Sequence, residues 1–173
     1  MMGAASIPGC ECWQRATSGK FDPVGAHLAD GHYSRRTPGS PQFMPPGETI
    51  VLIAPAHDAV WGWWRPHPNN PFGGTRARNG LDGWTCSIFR RLETAPLASE
   101  LVLDAERALC ALARDCGPDG MLTYVWGAKI RSSNPGWCNQ LAGWRKVGWS
   151  ADRRKRLLGK PFDLAGIQIS RWP

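Results

Sequence analysis

His32 and Tyr33 sit between Gly31 and a proline-braced stretch, TPGSPQFMPPGE, so the chain holds two chemically capable side chains at a fixed corner. An imidazole ionises near neutrality and suits general acid–base work. A phenol can donate to a developing oxyanion or assist proton transfer. The plain alternative is a solvent-exposed helix terminus. Asn134 precedes Pro135, which confines it to extended backbone. That geometry can aim its amide at a base edge, since Asn pairs with adenine N6 and N7; capping the next helix is the competing role. Cys138 is a candidate nucleophile or ligand, set against the commoner fate of a small buried apolar residue. Cys10 and Cys12, with His27 and His32, make four candidate metal ligands, though a lone C-x-C is weak evidence for a tetrahedral site.

Positive charge is unevenly placed. Residues 1–60 hold four basic side chains, including Arg35 and Arg36, against five acidic ones. Residues 131–160 hold eight (Arg131, Arg145, Lys146, Arg153, Arg154, Lys155, Arg156, Lys160) against Asp152 alone, a net +7 that equals the whole chain's. Clustered cations neutralise phosphates and release counterions, giving salt-sensitive nucleic-acid binding. Trp137, Trp144 and Trp149 interleave with them, as stacking platforms or as core. A solubilising surface is the alternative reading of the whole cluster.

The composition bounds the rest. Its 173 residues are 42% hydrophobic and 20% charged, which suits one packed domain and argues against wholesale disorder. Ten Trp against two Tyr, with 20 Gly and 15 Pro, indicate a loop-rich domain. No window approaches a membrane span. The first residues lack a basic segment followed by an apolar run, so no secretory signal is expected, and the six cysteines are expected as reduced thiols in the cytoplasm.

The elements that must position these groups follow from pattern. Residues 1–20 carry no period and read as a flexible tail ahead of a single domain over 21–173. Asp22-Pro23 starts a helix that Gly31 closes. Residues 49–54 (TIVLIA) and 59–64 (AVWGWW) predict a hairpin around His57-Asp58, and 84–89 (WTCSIF) a third strand. The long polar loop over 65–82 is of a length usually functional or mobile. Leucine and alanine spacing predicts a helix over 97–116, stopped by Gly117-Pro118. Residues 121–126 predict a strand, 136–143 a short helix, and 145–149 and 156–162 two terminal strands. The expected class is α/β (α+β): a mixed, largely antiparallel sheet flanked by a few helices, with one strand-helix-strand crossover.

That order resembles the GNAT acyltransferase fold, and Asn134-Pro-Gly-Trp-Cys-Asn-Gln-Leu-Ala-Gly-Trp144 is similar to the aromatic-rich helix such enzymes place before their last strands. His32-Tyr-Ser-Arg-Arg36, Gly39-Ser-Pro-Gln42 and Asn134-Pro-Gly136 together resemble the Mom DNA-modification proteins of bacteriophages. The resemblance implies an enzyme that places an acyl-derived, carbamoylmethyl-type group on adenine N6 of double-stranded DNA, in the host cytoplasm, as a shield against restriction. It implies His32, Tyr33, Ser34, Tyr124, Asn134 and Cys138 as catalytic candidates. Tyr124 enters because GNAT donors slip between two splayed central strands. It further implies a transition metal such as iron at His32 and Tyr33, and Arg35, Arg36, Arg131, Arg145, Lys146 and Arg153 to Arg156 on DNA.

The chain departs from the GNAT pattern where coenzyme A should bind. The segment Arg90-Arg-Leu-Glu-Thr-Ala-Pro-Leu-Ala-Ser99 lacks the glycine-rich pyrophosphate turn, and Pro96 removes a donor. Arg90, Arg91, Ser99 and the helix N-terminus could still hold an anion. The acyl donor is thus left open, acetyl-CoA included. The alternatives are a GNAT-type N-acyltransferase for another amine, or a non-catalytic nucleic-acid-binding module. The oligomeric state is open too, with a homodimer as one form.

Overall fold

The computed structural model describes residues 4–71 and 74–161. Eight strands form one sheet in the order β1-β2-β3-β4-β5-β6-β8-β7. They span Ala4–Ser6, Gln14–Ala16, Glu48–Ile53, Ala59–Arg65, Trp84–Arg91, Met121–Val125, Arg145–Trp149 and Arg156–Lys160 (β1 to β8 in chain order). Helices α1 (Pro23–Asp30), α2 (Ala98–Leu112) and α3 (Trp137–Leu141) flank it. All pairings are antiparallel except β5 with β6, which α2 crosses over to join. The expected mixed, mostly antiparallel α+β class is what is seen.

α1 begins as its sequence requires: the Asp22 carboxylate accepts from the Gly25 amide at 2.9 Å and Pro23 opens the helix. α2 lays Leu101, Val102, Ala105, Ala108 and Leu109 over a core of Trp13, Leu52, Trp61, Trp63 and Trp84. Buried indoles need a partner for the N–H. Trp13 donates to Leu101 O at 2.9 Å, Trp63 to Ala105 O at 3.0 Å and Trp84 to Asp115 O at 2.8 Å. A smaller cluster under α1 unites Leu28, Phe43, Met44, Val51 and Ile88.

Three expectations are corrected. The tail over 1–20 is instead, from residue 4 on, a hairpin of β1 and β2 that extends the sheet, with Trp13 fully buried; Met1 to Gly3 lie outside the described residues. Two three-residue strands are too short to show a period. α2 stops at Leu112 rather than 116, because Asp115 is drawn off the helix by Trp84 and by an ion pair with Arg65. α3 is likewise shorter than expected, Trp137–Leu141. The predicted last strand runs to Lys160; its end at Phe162, and the domain's stretch to 173, lie outside the described residues.

Candidate active site and basic rim

The parallel ladder between β5 and β6 has only three pairs, Trp84–Met121, Thr85–Leu122 and Cys86–Thr123. Beyond them the two strands part. On its other side β5 pairs Gly62 with Ile88 and Trp63 with Cys86, so Ser87 is an extra residue, a bulge that bends β5 where the splay begins. The gap opens as a cavity of about 660 Å³. It is lined by all six catalytic candidates, His32, Tyr33, Ser34, Tyr124, Asn134 and Cys138, and by Arg90, Arg91 and Lys155.

The loop after α1 is pinned across this gap. Arg90 of β5 donates to the Gly31 carbonyl, and a Cβ at Gly31 would collide with the Arg90 guanidinium, so glycine permits that approach. On the far side the Tyr33 ring meets Trp126 edge-on at 6.4 Å between centroids. His32 packs on Tyr33 with ring centroids 4.2 Å apart and the planes tilted by 32°. Its Nδ1 lies 2.7 Å from the Ser34 hydroxyl and accepts from the Ser34 amide at 3.2 Å. With Nδ1 accepting, Nε2 carries the ring proton. Burial, aided by the Arg90 charge, pulls the His32 pKa down to about 4, so the imidazole is neutral at physiological pH. Burial pushes the Tyr33 phenol up, against a partly compensating Trp126 backbone hydrogen bond.

Asn79 is a site residue that sequence reasoning missed. It projects from the loop between β4 and β5, and its Nδ2 donates to the Tyr124 hydroxyl at 2.5 Å. Its Oδ1 accepts from the Leu81 amide at 3.1 Å, which fixes the amide's orientation. Tyr124 therefore receives a hydrogen bond on oxygen and keeps its own proton for the cavity. The loop is held by Arg65, whose buried guanidinium binds Asp82 at 2.6 Å and Thr75 at 2.8 Å and also pairs with Asp115. Burial raises the Asp82 pKa, but the Arg65 and Thr75 hydrogen bonds outweigh it and hold the carboxyl below its usual range. The length of this loop is the one sequence signal that points toward Asn79.

Asn134 does not cap α3: Gly136 stands at the cap with no side-chain bond. Its Oδ1 accepts from Gln140 at 3.3 Å, leaving the amide N–H groups for the cavity. Burial pushes the Cys138 thiol up, so at neutral pH it stays protonated and is a poor nucleophile.

The anion site expected from Arg90, Arg91 and Ser99 does not assemble as drawn. Arg91 donates to the Leu92 and Ala95 carbonyls at 3.1 and 3.0 Å. Ser99 does not line the cavity. The Leu92 and Ala95 amides are used within the turn, by Asp58 O at 2.7 Å and Leu92 O at 3.2 Å, and Glu100 adds negative charge to the first turn of α2. Together with the donor missing at Pro96, these features oppose a pyrophosphate in the turn, although no side chain caps the first turn of α2.

The metal reading fits poorly. Only Nε2 of His32 and the Tyr33 phenol are offered, and among the described residues no three His, Cys, Asp or Glu converge as a metal site. Cys10 and Cys12 are held apart from His27 and His32, at Asp104 of α2: the Cys12 amide donates to the Asp104 carboxylate at 2.8 Å and the Cys10 thiol to its carbonyl at 3.7 Å.

The predicted nucleic-acid residues divide. Arg36, Arg131, Arg145, Lys146, Arg153 and Arg154 are exposed. Arg156 covers the Trp149 ring at 3.6 Å, and Lys155 and Lys129 lie 5.4 and 5.5 Å from the Trp126 centroid. Arg35 is not available for phosphate. Its guanidinium binds Asp30 at 2.8 Å and the Gln42 and Ser40 carbonyls, bracing the proline-rich loop. Lys160 is buried on Glu106 at 2.7 Å, and Trp144 on the same carboxylate at 2.7 Å, so both belong to the core.

No helix among the described residues is long and apolar enough to cross a membrane. No family model, curated protein or solved structure matches the chain.

Proposed function

We propose that this chain is a Mom-like transferase on a GNAT-like scaffold that places an acyl-derived, carbamoylmethyl-type group on adenine N6 in DNA. The observation that carries the reading is the splayed β5–β6 gap, which gathers His32, Tyr33, Ser34, Tyr124 and Asn134 beside a cationic rim. The sheet order, with β8 inserted between β6 and β7, supports the GNAT-like part.

The chemistry follows from the hydrogen bonds. As the adenine N6 attacks the activated carbon of the donor, the bond from that carbon to the donor's leaving group breaks and its electron pair departs with that group. The amine proton passes to the Ser34 hydroxyl while the Ser34 proton moves to the unprotonated Nδ1 of His32, which then protonates the leaving group. Tyr124, its oxygen already accepting from Asn79, donates its proton toward a carbonyl oxygen of the donor. Asn134 offers amide N–H groups to the base. The closed turn before α2 favours a donor other than acetyl-CoA.

Nucleoside mass spectrometry on DNA from cells expressing the protein tests this. A new adenine adduct that disappears with His32→Ala, while thermal stability stays nearly unchanged, is the expected outcome. Unmodified DNA, or adduct levels that His32→Ala leaves intact, would overturn it.

A further inference from the structure

Trp137, the first residue of α3, is an indole that this chemistry does not use. It lines the cavity yet is 51% exposed, whereas Trp13, Trp61, Trp63 and Trp84 are wholly buried. Its position is set by Gly136, which has a φ of 80° and lies so close to β8 that a Cβ would meet Leu158 at 2.8 Å. Lys155 lines the same cavity and reaches over Trp126, which Lys129 also covers. The mouth thus pairs one bare aromatic face with cations held in place by a second indole.

We propose that this mouth receives an unpaired nucleotide, its base stacked on Trp137 and its phosphate met by Lys155 and Lys129. The inference rests on the DNA-transferase reading and deepens it: the substrate is a base taken out of the duplex. Two arguments support it. Indole faces bind the π-face of any base, and a positively charged track beside them holds the backbone. His32, Tyr124 and Asn134 lie inside the cavity, where an exocyclic amine within a base-paired stack cannot reach them. The near absence of acidic side chains over 131–160 suits the phosphate.

The test uses the full chain with short fluorescein-labelled DNA, single-stranded, fully paired, or carrying a mispaired 2-aminopurine, read by anisotropy and by 2-aminopurine emission. Single-stranded and mispaired DNA should bind more tightly than paired DNA. Trp137→Ala should weaken the single strand about 5- to 150-fold, and Trp137→Phe should keep most of the affinity. Equal affinity of Trp137→Ala and wild type for the single strand, or tighter binding of the paired duplex, overturns the proposal. Should the alanine variant not fold, the phenylalanine variant and the wild-type comparison of strands decide it. The two readings fail separately. A Trp137 effect without any adenine adduct removes the transferase and keeps the stacking site. An adduct made at the wild-type level by Trp137→Ala, with single-strand affinity unchanged, does the reverse.

Discussion

Under α2, Trp63 and Trp144 stack 6.3 Å apart, each with its N–H satisfied, and Lys160 is neutralised by Glu106. On the surface, Trp137 at the cavity mouth and Trp126 and Trp149 elsewhere have faces open to solvent or covered by Lys129, Lys155 and Arg156. The same two residue types, indole and cation, build a dry core in one region and a charged rim in the other. What separates them is the partner. α2 supplies fixed acceptors for Trp63, Trp144 and Lys160, whereas the exposed indoles and cations are left open to solvent.

The largest effects should come from treating the core as if it were rim. Trp63→Ala is expected to cost about 3–5 kcal/mol in denaturant unfolding, against less than about 0.5 kcal/mol for Trp137→Ala. Comparable losses would erase the distinction. Glu106→Ala should also cost about 3–5 kcal/mol, because it strands the buried Lys160 charge.

Next comes pH. The His32 pKa is depressed in the folded chain to about 4, below the value near 6.5 of an unfolded histidine. The unfolded state therefore binds more protons between those values, so the contribution is complete above about pH 6.5 and is lost as pH falls through 4. Subtracting the His32→Ala stability curve should isolate that pH dependence, a total change of up to about 3 kcal/mol across the window. Identical slopes would place the imidazole in water.

Replacing Arg153, Arg154, Lys155 and Arg156 by Ala should lower the salt dependence of DNA binding, by about 0.9 in slope for each phosphate left without its cation. Arg35→Gln should leave that slope alone, since its charge is spent on Asp30. A flattened slope in Arg35→Gln, or an unaltered one in the quadruple variant, contradicts the division. The smallest expected effect concerns the donor: calorimetry should detect little or no heat with acetyl-CoA, and tight stoichiometric binding would reopen the turn before α2 as a pyrophosphate site.

How much of this was legible depends on range. The β-branched run of β3, the Asp22-Pro23 cap and the helical spacing of α2 are local, and each produced the element it predicts. His32, Tyr33 and Asn134 stood out because proline neighbours restrict them. Asn79 did not, since its value lies in a tyrosine 45 positions away. Lys160 looked like one more surface cation until Glu106, 54 positions earlier, supplied its acceptor. Trp13 was hidden in a short hairpin whose strands have no period to read. Charge counts along a chain cannot tell a clamp such as Arg65 from a free cation.

β7 closes the described sheet order at one end, and Arg145 and Lys146 are its first residues. An edge strand is a template on which a second copy can add its own strand, and charged side chains blunt that tendency by repulsion. Here the guard and the exposed cationic rim are one set of charges. If the proposed DNA reading holds, a nucleic acid that neutralises them also lifts the barrier to self-templating, and the bare protein should resist aggregation better than the polyanion-saturated one.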